Sequence, residues 1–419
     1  MAKHVIEEAK RCLGCKNPKC IEGCPVSTPI PQVIEMLLQG KIRDAGDILY
    51  HNNPLSIICA MVCPHEFQCE GHCILGNKGA PIHFSSIEHY ISDYYLNQDV
   101  DRCDIDPEKK IAVIGAGPAG LTVASILVEK GYDITIFEAY EKIGGILQFG
   151  IPGFRLPKTF LERMQAKLLK LGVKFRPNTL IGPNLTIDDL KRDGYKAIFI
   201  GTGVWKPNKL NIPGESLGHV HFAIDYLKNP DAYDLGDTLY VIGAGNVAMD
   251  VARTALRRGV QEAIVVNRLG EKEMSARPYE VEYAKLDGVQ FLFNTTPKKI
   301  VDNGLICCQN QTTRDEEDRI VINEIDGTET FYEADSVIVS ISQGPRNNIV
   351  ANTEGINIGA SGLVQVDKAG QTTLEGVFSS GDVVTGGRTV VEAVKYSKIA
   401  ADSIDSYIQS RYFNSRRKD

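Results

Sequence analysis

Apolar positions along this chain change their period repeatedly, and the changes divide it. In the first hundred or so residues they recur at helical spacing. Val33, Ile34, Leu37 and Leu38 follow residues 26–31 (VSTPIP), with Ser27 or Thr28 placed to cap a helix and proline tolerated in its first turn. Residues 83–95 (HFSSIEHYISDYY) predict a second, aromatic-rich helix. After the polar stretch 104–110 (DIDPEKK) the pattern becomes strand, helix, strand: apolar 111–114, helical spacing to about residue 130, apolar 133–137. The same succession returns at 239–242, in a helix to about residue 258, and at 263–266. A strand within 376–380 (GVFSS) then precedes an apolar-faced helix from 389 to about 404, and the polar tail from Ser410 is expected to fray. These patterns predict an α/β protein with two Rossmann-like units behind a small α-helical domain.

What stands between strand and helix gives those units their chemistry. In the first copy Gly115, Gly117, Pro118, Ala119 and Gly120 form a G-x-G-x-x-G turn, and the next strand ends in Glu138. Such glycines permit a tight turn and let pyrophosphate approach N–H groups at the helix amino end. Glu138 would accept from ribose hydroxyls. The second copy carries Gly243, Gly245, Asn246 and Val247, and its strand ends in Asn267 and Arg268. An acid there repels a 2′-phosphate, whereas an amide beside arginine accepts it, and Arg277 lies close in sequence. NADP(H) is therefore favoured, with NAD(H) left open. Gly381 and Asp382 end a strand and Thr389 and Val390 open a helix, an arrangement that suits ribityl-phosphate and flavin contacts. The order matches flavoproteins that bind FAD first, with the nicotinamide unit inserted into the flavin unit. The expected division is 1–104 for the head, 105–225 and 341–419 for the FAD unit, and 226–340 for the NAD(P)H unit.

Composition changes the picture at the front. Of eleven cysteines, eight lie between residues 12 and 73, as Cys12-x2-Cys15-x4-Cys20-x3-Cys24-Pro25 and Cys59-x3-Cys63-Pro64-x5-Cys69-x3-Cys73. Structural zinc takes four thiolates in C-x2-C pairs, and one such pair occurs. The Cys-Pro pairs resemble the bacterial ferredoxin habit in which the cysteine before proline serves the other cluster. Iron–sulfur chemistry is favoured over zinc, and disulfides come third. The net charge of −7 points to neither nucleic acid nor an anionic membrane as partner. No apolar run approaches ~20 residues and no secretory leader is visible, so a cytoplasmic home is expected, where clustered cysteines mean metal or redox chemistry. Cys103, Cys307 and Cys308 show no ligand spacing and are expected to be buried small hydrophobes. The histidines are expected on the surface or in packing, and residues 314–319 (RDEEDR) in a solvated loop. The head carries little apolar sequence and is expected to depend on its inorganic content to fold.

Further stretches join these: residues 144–152 (GGILQFGIP), Gly201-Thr202-Gly203, residues 273–277 (EMSAR) and residues 389–393 (TVVEA). Together the motifs resemble, over nearly the whole chain, the small (beta) subunit family of NADPH-dependent glutamate synthase. Its relatives include the amino-terminal half of dihydropyrimidine dehydrogenase and the large subunit of NADH-dependent ferredoxin–NADP oxidoreductase. The resemblance implies FAD, a pyridine nucleotide and two 4Fe–4S clusters, with further cofactor contacts at Gly145, Leu147, Gly201, Thr202 and Gly203. It implies Cys12, Cys15, Cys20 and Cys73 for one cluster, and Cys24, Cys63 and Cys69 with Glu88 for the other. Cys59 is left outside both sets, although a count of eight cysteines would include it. Electrons would pass from NAD(P)H through FAD to the clusters, then to a larger catalytic subunit or a ferredoxin-type acceptor. Candidate partners are a glutamate synthase large subunit, a dihydropyrimidine dehydrogenase catalytic subunit or a bifurcating complex. Hydride transfer to flavin needs no protein acid or base, so no catalytic residue is assigned. Relatives favouring NADPH commonly have two adjacent arginines where this chain has Arg268-Leu269. A thioredoxin-reductase-like disulfide reductase would need a C-x-x-C in the nicotinamide unit, where only Cys307-Cys308 stands. A zinc-stabilised, non-enzymatic scaffold is the rival from another class, which metal analysis separates.

Overall fold

The computed structural model describes residues 2–413. Residues 414–419 of the polar tail lie outside the described residues, and Gln409–Phe413 forms one wide helical turn.

The head is helical: Ala2–Lys10, Ile30–Leu38, Ile42–Asn52, Ser56–Val62 and Phe84–Leu96, joined by cysteine-bearing loops. Its apolar core exceeds the sequence expectation. Val5, Ile30, Val33, Ile34, Leu37, Leu49, Phe84, Ile87 and Ile91 are buried together, with Cys12, Cys20 and Cys73 packed against them. Each helix brings only a few of these side chains, so the core exists in space and not in any one stretch. The expected cap is also different. Pro29 precedes the helix Ile30–Leu38 without a side-chain cap, and the Thr28 hydroxyl turns instead toward Cys24 and Asn52.

Two compact units follow from the chain's own contacts. The first takes in the chain up to Gln148, then Gly153–Val204, and the described residues from Gly344 on; the second takes Phe149–Pro152 and Trp205–Gln343. The second is thus inserted in the first, and the cysteine head is packed into the first unit. The expected division at 226 falls inside the helix Ala223–Lys228, after the strand Val220–Phe222 has already joined the second unit's sheet.

In the first unit Val377–Ser379, Ala197–Ile200, Asp106–Ile114, Tyr132–Phe137 and Lys174–Arg176 lie side by side as a parallel five-stranded sheet. Ile111, Ala112, Val113 and Ile114 are buried on both faces, as a covered parallel strand requires. The helices Pro118–Glu129 and Val390–Ile408 pack against each other, which returns the end of the chain to the first nucleotide turn. The second unit repeats the design with Val220–Phe222, Ser336–Val339, Thr238–Ile242, Glu262–Val266 and Gln290–Leu292, all parallel. It adds an antiparallel sheet in which the long strand Gly304–Arg314 pairs with Thr295–Val301, Ile320–Glu324 and Thr330–Glu333. No helix among the described residues is long and apolar enough to cross a membrane.

Candidate functional site

Four glycine-bearing segments meet at the carboxyl end of the first sheet, where ligands of such sheets bind. Gly115 has φ +99°, and a Cβ on it would stand 2.6 Å from the Gly201 carbonyl oxygen. A Cβ on Gly120 would collide with the Gly115 carbonyl oxygen. Gly145, at φ +55°, brings its backbone within van der Waals reach of Gly117, and Gly381 does the same against Ala119. By contrast nothing lies closer than 4.0 Å to the place of a Cβ on Gly117, which heads the helix Pro118–Glu129. The backbone here is crowded on one side and open on the other, as a pyrophosphate cradle requires. Sequence motifs 144–145, 201–203 and 381–382 are thereby brought to the first turn. Leu147 is buried beside them, its carbonyl accepting from Lys158 Nζ at 2.6 Å.

Glu138 does something the sequence did not disclose. Its Oε2 accepts the Ala116 N–H at 2.7 Å and its Oε1 the Tyr140 N–H at 3.0 Å, so the carboxylate ties the glycine turn to its own strand end. Burial pushes its carboxyl above the ordinary value, against the pull of those N–H groups. Asp382, whose Oδ1 accepts the Arg388 N–H, is pushed up to about 6 by burial. Thr389 and Glu392 form a reciprocal cap at the start of Val390–Ile408, so that helix end is well defined.

In the second unit Gly243, at φ +120°, faces the Ser340 carbonyl, while the place of a Cβ on Gly245 meets only Ser275 Oγ at 3.4 Å. The third position of the motif is Ala248, fully buried. Asn246, the first residue of its helix, accepts the Arg277 N–H through Oδ1 at 2.9 Å, so the two expected nucleotide contacts are joined; Val247 follows, half-buried. Asn267 is buried, and its amide is spent locally, donating to the Gly270 carbonyl and accepting from the Leu269 N–H. Arg268 is exposed. The pattern pointed to both residues, but their tasks divide: Asn267 shapes the turn and Arg268 presents charge.

The cysteines sort into two pools that cross the sequence groups. Cys12 feels Cys15 and Cys73, and Cys20 feels Cys73 and Cys12; burial first, then these neighbours, raise both thiols, Cys20 to about 11. These four line one apolar cavity of about 470 Å3, counting its open mouth, together with Leu13, Ile74 and Phe84, and Cys69 of the other pool reaches its wall. The other pool is deeper. The Cys63 thiol is held up by its hydrogen bond with Cys59, then by burial, with Glu88 and Cys69 beside it. Cys69 is raised by burial and by Glu88, Glu70 and Cys24. Glu88, 5 % exposed, is pushed well above the carboxylate range by burial and then by Cys59 and Glu70. Cys59 therefore stands in this pool. Glu70, buried and accepting the Ser85 N–H, was missed, its only signal being its place beside Cys69. Crowding potential anions in a low-dielectric site without a cation is costly, and a thiolate-bound cationic cluster would relieve that cost at both pools. Among the described residues no three His, Cys, Asp or Glu side chains converge on a single-ion centre. Every cysteine is free; Cys307 and Cys308 are buried as expected, but Cys103 is only half-buried.

Residues 109–397 match the pyridine nucleotide-disulphide oxidoreductase family model, and residues 1–100 match that of dihydropyrimidine dehydrogenase domain II, 4Fe–4S cluster. The glutamate synthase [NADPH] small chain of Halomonas elongata is 34% identical, over 96% of this chain and 90% of that protein. The chain belongs to this family. The Escherichia coli small chain is 31% identical over 96% of this chain and 91% of its own length. The beta subunit of the NADP(+)-dependent formate dehydrogenase of Moorella thermoacetica is 34% identical over 93% of this chain, which spans 60% of that protein. Among solved structures, FprA of Mycobacterium tuberculosis in complex with NADPH shares the fold, with a TM-score of 0.62, 18% identity, and coverage of 72% of this chain and 85% of that one. As a member of the glutamate synthase small-chain family, the protein is an FAD- and iron–sulfur-dependent NAD(P)H oxidoreductase that feeds electrons to other centres. Several of its relatives are named as small chains or beta subunits, which agrees with a larger partner.

Proposed function

We propose that the chain oxidises NADPH on behalf of a larger glutamate synthase-type subunit, with one 4Fe–4S cluster on each cysteine pool. The observation that carries this reading is the crossing of the pools: Cys73 lies with Cys12, Cys15 and Cys20, and Cys24 is felt at Cys69, beside Cys63 and Glu88. The first glycine turn would hold FAD and the two cysteine pools the clusters, which when bound would supply hydride acceptance and one-electron transfer. The chain's residues orient and charge that chemistry. Gly115 and Gly201, whose N–H groups donate to the Phe137 and Ile114 carbonyls, fold the turn so that the helix amino end at Gly117 faces a pyrophosphate, with Glu138 holding the turn in shape. The amino end of Val390–Ile408 directs its partial positive charge at the flavin-side end of the sheet. Arg268 offers a guanidinium to a 2′-phosphate, and Arg277, joined to Asn246, stands at the helix amino end. This favours NADPH over NADH.

Outer ligands are assigned to Cys12, Cys15, Cys20 and Cys73. Inner ligands are assigned to Cys24, Cys63, Cys69 and Glu88, with Cys59 beside them as the alternative fourth. Free thiols throughout fit a reducing, cytoplasmic setting. The similarity to the Moorella formate dehydrogenase beta subunit supports a second reading, in which the same module feeds a dehydrogenase partner. Reconstitution decides between them. The purified chain mixed with a glutamate synthase large subunit should support NADPH-dependent glutamate formation. A chain that carries flavin and iron yet transfers nothing to that subunit would fit the dehydrogenase-type partner instead.

A further inference from the structure

The inner pool is connected to the flavin-side helix by a chain of hydrogen bonds that runs one way once the Cys24 sulfur is a thiolate acceptor. Residues 24–28 form a tight turn closed by the Ser27 N–H donating to the Cys24 carbonyl at 2.9 Å, with Ser27 in the left-handed region at φ +52°. That turn sets the buried Thr28 hydroxyl 3.3 Å from Cys24 Sγ. Asn52 Nδ2 donates to Thr28 Oγ1 at 3.1 Å, which leaves the hydroxyl proton free to donate to the sulfur. Lys398 Nζ in turn donates to Asn52 Oδ1 at 3.1 Å and to the Asn52 carbonyl at 2.7 Å. Lys398 lies on Val390–Ile408, about 14 Å along the axis from Thr389 at the helix's flavin-side end. Burial lowers the pKa of the Lys398 ammonium from its ordinary value, against the pull of Asp402, which accepts from Lys130 at 3.1 Å, and of Cys24.

We infer that Lys398, acting through Asn52 and Thr28, is a positioning residue that raises the reduction potential of the cluster carried by Cys24. The ammonium polarises the Asn52 amide, the amide polarises the Thr28 hydroxyl, and the hydroxyl withdraws charge from the sulfur; aligned bonds strengthen one another. Hydrogen bonds to cluster sulfurs favour the reduced cluster. The inner cluster thereby becomes the ready acceptor for electrons leaving the flavin side. A purely structural role is the plain alternative, since Asn52 ends the helix Ile42–Asn52 and a lysine on a terminal carbonyl steadies such an end.

The inference rests on the proposed cluster assignment, and the test separates the two. The flavin- and iron-loaded protein is titrated potentiometrically and followed by EPR, after iron and labile sulfide are counted. Lys398→Met is expected to weaken reduction of one cluster about tenfold, a drop of about 59 mV for a one-electron couple, and to leave the other where it was. Thr28→Val is expected to lower the same midpoint, and the double variant to fall no further than Thr28→Val alone, because the links act in series. Iron-loaded single variants whose midpoints both match wild type would overturn the inference, as would equal shifts in both clusters or additive shifts in the double variant. If Lys398→Met loses iron, Thr28→Val decides alone, and an unmoved midpoint there overturns it. Wild-type protein without iron removes the cluster assignment itself.

Discussion

The two nucleotide turns share a motif and part most at its third glycine and at the end of the strand that follows. In the first, the third glycine, Gly120, is packed so tightly on the Gly115 carbonyl that no side chain fits. In the second, Ala248 occupies the same place, fully buried, so the strand–helix packing there has room for a methyl. The first strand ends in a buried carboxylate that bonds its own loop, the second in a buried amide that shapes a turn and an exposed arginine beside it. One turn is closed, acidic and rigid; the other is roomier and faces solvent with positive charge. That suits a cofactor that stays bound in the first unit and a nucleotide that must come and go in the second.

The largest effect should come from closing the gap at the first turn. Gly120→Ala puts a methyl on the Gly115 carbonyl and is expected to lose FAD more than tenfold, read as bound flavin per purified chain. Variant protein with full flavin would show that the first turn is no tighter than the second. Next comes charge: Arg268→Glu is expected to raise KM for NADPH about 10–100-fold, the worth of a charge-assisted bond, while moving KM for NADH much less. Equal losses for both nucleotides would remove the 2′-phosphate from the account.

A smaller, pH-dependent effect should appear only on the flavin side. Burial holds Asp382 at about 6 in the folded chain against an ordinary 3.8. Between those values the folded state binds more proton than the unfolded, so stability falls as pH rises through the window. The unfolding free energy of FAD-free wild type relative to Asp382→Asn should therefore drop from about pH 4 to about pH 6, by about 1–3 kcal/mol. A flat difference would contradict it. Smallest of all, Ala248→Gly should keep nucleotide binding and cost about 1 kcal/mol in helix propensity.

Much of this was legible because the rules involved are local. Glycine spacing between a strand and a helix fixes a turn and an open N–H face within six or so residues, and both copies stand where the period of apolar residues put them. Thr389 was legible for the same reason. The cysteines were harder. Spacing gave the chemistry, but the partnership of Cys73 with Cys12 and Cys20 depends on how the head helices pack. Cys59 joins Cys63 because the last turn of Ser56–Val62 sets residues four apart side by side. Thr28 read as a helix cap, and its hydroxyl instead serves Cys24 four residues back, a choice made by the left-handed Ser27 between them. Glu138 read as a ribose ligand, and its two main-chain bonds follow from a strand end and a loop brought together in space. The head's core escaped notice because each helix adds only a few side chains to it.

Electron delivery by this chain depends most on two clusters held by two separate pools in front of a flavin. Iron, labile sulfide and flavin counted in purified wild type, Cys20→Ser and Cys63→Ser test it in one measurement. The expected result is about eight irons and one flavin per wild-type chain, and about four irons with flavin intact in each variant. Full iron in either variant, or flavin without iron in the wild type, would contradict it.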